Sequence, residues 1–118
     1  MANPDLIKNY VAGGDIPAYR IVKFGADDNT VVLATAATDY IIGVSDLGGV
    51  TGDRLDIVMD DIAEVEFGGT IVRGGPVTTD AAGKAIAATV AGSRTIGFAM
   101  VSGVVGDIGT VNIIQSKI

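Results

Sequence analysis

Any chemistry in this chain would have to come from carboxylates, hydroxyls and amines, because it contains no His and no Cys. The commonest general base and the thiol nucleophile are therefore both missing. Ser45, Ser93, Ser102 and Ser116 have no imidazole to activate them, and no local motif pairs them with Lys8, Lys23, Lys84 or Lys117. The adjacent carboxylates Asp27-Asp28 and Asp60-Asp61 fall in stretches that read as turns, where Asp is the ordinary choice. Asp27-x-Asn29 begins like a calcium loop but lacks the later ligands and the closing Glu. Asp53 and Asp107 each follow a Gly; a symmetric metal site is one reading, and a turn residue kept through duplication is the one adopted. The glycines form neither a dinucleotide fingerprint before a helix nor a phosphate loop. The sequence thus predicts no catalytic residue, no cofactor, no metal and no enzyme.

The elements that would position these residues are organised by a repeat. Ile42-Gly43-Val44-Ser45 through Gly49-Val50-Thr51-Gly52-Asp53 returns as Ile96-Gly97-Phe98-Ala99 through Gly103-Val104-Val105-Gly106-Asp107, at a constant offset of 54. The same offset pairs Ala34-Thr35 with Ala88-Thr89, and Ile57 with Val111. The copies span roughly 29–59 and 83–113. Each reads as strand, loop, Gly-Asp turn, strand. The expected fold is all-β: a small barrel or sandwich of short antiparallel strands, in which each copy covers the other's apolar face.

The chain has 118 residues, which predicts one domain with a real core. Residues 1–17 break the pattern, with Asn3, Pro4, Asn9, Gly13, Gly14 and Pro17 among scattered apolar side chains. They are read as an extended N-terminal arm before a single β domain at 18–118, with a frayed terminus as the alternative. Strands are expected at 18–24, 30–34, 40–45, 54–59, 63–67, 77–79, 84–89, 95–101 and 110–114. Lys84 to Thr89 is rich in Ala and would favour helix, but the repeat argues for strand. Arg54 to Met59 and Ala63 to Phe67 read as a hairpin across Asp60 to Ile62, with Ile57 facing Val65 and Leu55 facing Phe67.

The net charge is −6, so the surface repels phosphate and nucleic-acid binding is not expected. No stretch nears the ~20 apolar residues of a spanning helix, and Met1 to Asp5 lacks the basic start of a leader, so neither a membrane nor a secreted location is expected.

Taken together, several motifs resemble the capsid cement, or head decoration, proteins of tailed bacteriophages. They are Ile41-Ile42-Gly43-Val44-Ser45, Gly52-Asp53 before an alternating strand, Ala63-Glu64-Val65-Glu66-Phe67, Gly74-Gly75-Pro76 through Lys84-Ala85, Ile96-Gly97-Phe98-Ala99 and Gly106-Asp107. The resemblance covers about Tyr19 to Ile114. It implies a structural virion protein, made in the host cytoplasm and added as homotrimers to the outer surface of an expanded head. Its partner would be the major capsid protein, and its role reinforcement of the shell without catalysis. On this reading residues 2–14 contact the capsid through Leu6, Ile7, Tyr10 and Val11, ordering on binding. The alternative is an oligomeric β-barrel module that binds a small ligand or carbohydrate. Against it, three Tyr, three Phe and no Trp offer little for a sugar-stacking platform.

Overall fold

A computed structural model describes residues 7–59 and 61–117 as ten strands with no helix. The strands are β1 (Ile7–Ala12), β2 (Ile21–Phe24), β3 (Thr30–Leu33), β4 (Ile41–Ser45), β5 (Arg54–Val58), β6 (Asp61–Glu66), β7 (Pro76–Thr79), β8 (Ala85–Ala87), β9 (Arg94–Ala99) and β10 (Ile108–Lys117). The all-β expectation holds.

The first half is a closed barrel in the order β1-β3-β2-β4-β5, with β5 returning to β1. Pairing is antiparallel except for β1 with β3, where Val11 faces Thr30 and Ala12 faces Val31 in parallel. Alternation along β1 and β5 sends Tyr10, Ala12, Leu55 and Ile57 inward, against Ile16, Val22, Val31 and Ile42. Asn9, Arg54 and Asp56 stay outside, where Asn9 accepts from Arg54 and donates to Asp56.

The second half is a sheet in the order β6-β10-β9-β7-β8, which matches the first half strand for strand. Its two edges meet at the parallel bridge of Phe67 with Ala85, the counterpart of Ala12 with Val31. The repeat is therefore longer than the sequence suggested, because its offset changes. Tyr10 faces Leu55 as Val65 faces Gly109, and Val22 faces Gly43 as Val77 faces Gly97. These pairs set the offset at 55 through β1 and β2, against 54 from β3 onward. The extra residue lies in the β2–β3 turn, which runs Gly25 to Asn29 in the first unit and only Asp80 to Gly83 in the second.

Two expectations are corrected. Of the arm expected at 1–17, residues 1–6 lie outside the described residues, and the remainder is not an arm beside the barrel, since Ile7–Ala12 is the strand that closes it. Nor do β5 and β6 form a hairpin: β5 pairs with β1 and β4, β6 pairs with β10, and the chain passes between units there. The alternation that suggested the hairpin is real, but each strand finds its partner within its own unit.

The units also share a core. Ile21, Ile41, Val44 and Val58 of the first cluster with Ala63, Val65, Phe67, Ile96, Val111 and Ile113 of the second. Inside the second unit, large and small residues have changed places. Phe67 stands where the first unit has Ala12, and Gly109 where it has Leu55. A Cβ on Gly109 would meet the Phe67 ring, so the ring occupies the space that Leu55 fills in the first unit.

Gly43 and Gly97 occupy equivalent points of close backbone approach. A Cβ at Gly43 would lie 2.7 Å from Ile57 Cγ2, and one at Gly97 would run into the Asn112 carbonyl. Gly74 is different: φ is +86° and nothing lies within 4 Å of a Cβ there. The equivalent residue is Tyr19, held at φ 63°, and the amides of both bond the end of the neighbouring strand, at Ser45 and Ala99 respectively.

These geometries separate two costs. Gly43→Ala and Gly97→Ala should each lower stability by about 2–3 kcal/mol through overpacking against backbone. Gly74→Ala should lower it by about 1 kcal/mol from the left-handed backbone alone. Denaturant midpoints of the three variants test the distinction, and a wild-type midpoint for Gly97→Ala would remove the close-approach account.

Candidate functional site

Of the four residues proposed from sequence for partner contact, the structure describes the side chains of Tyr10 and Val11. Leu6 lies outside the described residues, and Ile7 begins β1. Tyr10 is 3 % exposed in the barrel interior, its hydroxyl 3.9 Å from Met59 Sδ. Val11 is half-buried between Arg54 and Thr30 of the flanking strands. Tyr10 is a core residue because inward alternation and its size fill the first barrel.

The carboxylates are turn residues. Asp53 Oδ2 accepts from the Val50 amide at 3.0 Å, and Asp107 Oδ2 accepts from the Val104 amide at 3.0 Å. Asp27 accepts from the Thr30 hydroxyl at 2.8 Å and the Asn29 amide at 3.0 Å, which hold its carboxyl below the usual range. Asp60 lies outside the described residues. Among the described residues, no group of three or more His, Cys, Asp or Glu converges as a metal site would need.

What the fold does present is an apolar tip on each unit. In the first, the 13–19 segment is stitched to the β4–β5 loop by paired backbone bonds between Ile16 and Gly49, at 2.9 and 2.8 Å. In the second, Ile71 and Gly103 repeat the arrangement at 2.9 and 3.0 Å. Ile16 and Ile71 are buried and anchor these loops, while Asp53 and Asp107 clamp the turns beyond them. The side chains left outside are Leu47 and Val50 on the first tip, and Val72, Val101, Val104 and Val105 on the second. Leu47 is 67 % exposed and Val105 65 %. Two of the positions correspond by the repeat, Leu47 with Val101 and Val50 with Val104. These exposed aliphatic side chains on hydrogen-bonded loops make the tips the candidate surface for contact. The Gly-Val-x-Gly-Asp recurrence was visible in the sequence; that its valines point outward was not, because turn residues carry no periodicity.

Charge is concentrated between the units. Glu66 Oε1 meets Arg20 Nη2 at 3.2 Å, and its Oε2 meets Lys84 Nζ at 3.3 Å. Partial desolvation pushes the Glu66 carboxyl up, but Lys84 and Arg20 together outweigh it and hold the carboxyl below its ordinary value. The Glu66 amide also donates to the Tyr19 carbonyl at 2.9 Å, so this network ties β6 to the start of β2.

No family model matches the chain, and no curated protein matches it. Among solved structures, the chain is similar to the N base of head fiber gp8.5 of bacteriophage phi29, with a TM-score of 0.71 and 22 % sequence identity. The match covers 96 % of this chain and 97 % of that one, so the two-unit fold is common to both.

The Glu66 network gives a pH prediction. A carboxyl whose folded-state pKa is depressed adds stability above its unfolded-state value of about 4.3, and that stability is lost as pH falls through the folded-state value. Glu66→Gln should therefore cost about 0.5–1 kcal/mol at neutral pH. The gap to wild type should close in acid. Denaturation at pH 7 and pH 3 reads both, and a gap unchanged by pH would refute the charge-based account.

Proposed function

We propose that this chain is a structural protein of a tailed-phage virion, located on the outer surface of the head. There it binds the major capsid protein and reinforces the expanded shell. The observation that carries the reading is the fold likeness to the head fiber base over nearly the whole of both chains. The sequence motifs that resemble cement proteins support the same class. No catalytic step belongs to this role.

The attachment surface is assigned to the two apolar tips rather than to the N-terminal stretch. Residues 7–12 already form a closing strand, so freeing them to reach a capsid would open the first barrel. The tip side chains need no such rearrangement. Burying a Leu or Val fully is worth about 1.5–3 kcal/mol, so a few of them at each tip suffice for a modest contact. Self-association as a homotrimer is part of the proposal, since it would make later tip contacts intramolecular and raise overall affinity.

Co-sedimentation with expanded, emptied phage heads assembled without this protein tests the reading. Wild type should bind saturably. The double variant Val50→Asp, Val104→Asp should bind at least about tenfold more weakly, with an unchanged circular dichroism spectrum. Failure of wild type to bind heads would overturn the function, whereas equal binding by the variant would overturn the tips as the contact.

A further inference from the structure

The two units touch through a contact that is not reciprocal. The β7–β8 turn of the second unit sits on the first. The Gly83 carbonyl accepts from the Ile21 amide at 2.7 Å, and the Ala82 carbonyl accepts from Arg20 Nη1 at 2.9 Å. A Cβ on Gly83 would lie 2.8 Å from Leu33 Cδ2, so the turn fills the niche between Arg20, Ile21 and Leu33. By the repeat, that niche corresponds to Gly75, Pro76 and Ala87 on the second unit. There it is an open apolar pocket of about 150 Å³, walled by Ile71, Val72, Pro76, Val77, Ala87 and Ala88.

We infer that this pocket receives the Gly25–Asn29 turn of another copy of the chain, head to tail, in the placement of the internal contact but without its hydrogen bonds: Pro76 has no N–H to match Ile21, Gly75 has no side chain to match Arg20, and the Asn29 carbonyl already accepts from the Val11 amide, so the contact is an apolar fit. The inference rests on the self-association proposed above and names its interface. Three observations carry it. The equivalent niche within the chain is filled by the equivalent turn. The fit is also complementary: Gly75 and Ala87 stand where the first unit has Arg20 and Leu33, which deepens the pocket, and the incoming turn is the one with the extra residue. That turn is exposed from Ala26 to Asn29 and carries Asp27 and Asp28, while Arg73 stands exposed just before the Gly75 wall.

A third sign lies at Tyr40 and Arg94, which are equivalent positions. Within the chain the Arg94 guanidinium lies 4.5 Å from the centre of the Tyr40 ring. Tyr40 is nonetheless 61 % exposed. Repetition of the internal contact brings the Tyr40 of the next chain to the same Arg94, and places each ring between two guanidinium groups. A heterologous contact of this kind closes into a ring when its rotation allows.

Disulfide trapping tests the interface, because the chain has no cysteine of its own. Asn29 and Ala87 correspond to Gly83 and Leu33, which touch in the internal contact, and both are exposed. Full-length Asn29→Cys and Ala87→Cys chains, mixed under mild oxidation, should cross-link to each other, and neither should cross-link when alone. Ala87→Arg, at an exposed site, should weaken self-association about tenfold by light scattering without altering the circular dichroism spectrum. The inference is overturned if the mixture gives no cross-linked pair, if Ala87→Cys alone dimerises as a two-fold interface would, or if wild type stays monomeric at every concentration. A protein that binds heads but gives no mixed cross-link would sink this interface and leave the virion role standing. One that cross-links as stated but ignores heads would do the reverse.

Discussion

The structure depends on one seam, where the first strand of each unit meets the third in parallel. In the first unit the Val11 and Gly13 amides bond the Asn29 and Val31 carbonyls, each at 2.8 Å. In the second the seam is reduced to Phe67 with Ala85 and the Gly68 amide on the Ala85 carbonyl, at 2.8 Å. Without it a five-stranded sheet this small would present two open edges and an uncovered apolar face. With it the inward side chains are sealed, and the interior has room for few residues. That shortage of room explains the exchange of Ala12 and Leu55 for Phe67 and Gly109: a closed interior conserves volume, not residue identity.

Closure also decides what remains for function. Strand interiors are spent on the core and strand edges on the seam, so the proposed partner contact is left to the loops at the ends of the units. The tip loops are held by backbone pairs at Ile16–Gly49 and Ile71–Gly103 and by aspartate clamps. The Arg20–Glu66–Lys84 network fixes one unit against the other, but its charges are partly wet and its strength is modest. The shared apolar cluster from Ile21 to Ile113 contributes more to holding the two units together.

Much of this was legible in the residues. The offset of 54 located β3, β4 and β5 and their partners β8, β9 and β10, and it chose strand over helix for the Ala-rich Ala85–Ala87 segment. It failed upstream for a definite reason. One additional residue between Phe24 and Thr30 shifts β1 and β2 out of the alignment, so a constant offset cannot see them. β1 therefore has only its own residues to announce it. With Asn9 outward and Gly13-Gly14 behind it, it carries too little apolar pattern to announce a strand, although Tyr10 and Ala12 are its inward residues. The hairpin reading of β5 and β6 failed for a related cause: alternation tells which face is buried, not which strand lies alongside. The tips were half legible, as recurring Gly-Val-x-Gly-Asp turns whose outward valines no periodicity could reveal.

The move from arm to tips changes the energetics of binding. A segment that orders on contact loses roughly 1–2 kcal/mol of backbone entropy per residue, which would absorb most of what Leu6 and Tyr10 could return. Tip side chains on loops already fixed by hydrogen bonds avoid that loss and give up only rotamer freedom, which is small for Val. Each tip offers little area, so on the proposed reading a single unit would bind weakly. Duplication supplies two tips on one frame, and the proposed self-association would supply more. Attachment of many copies to a shell would then rest on repetition of a small, preorganised contact rather than on enlarging any one of them.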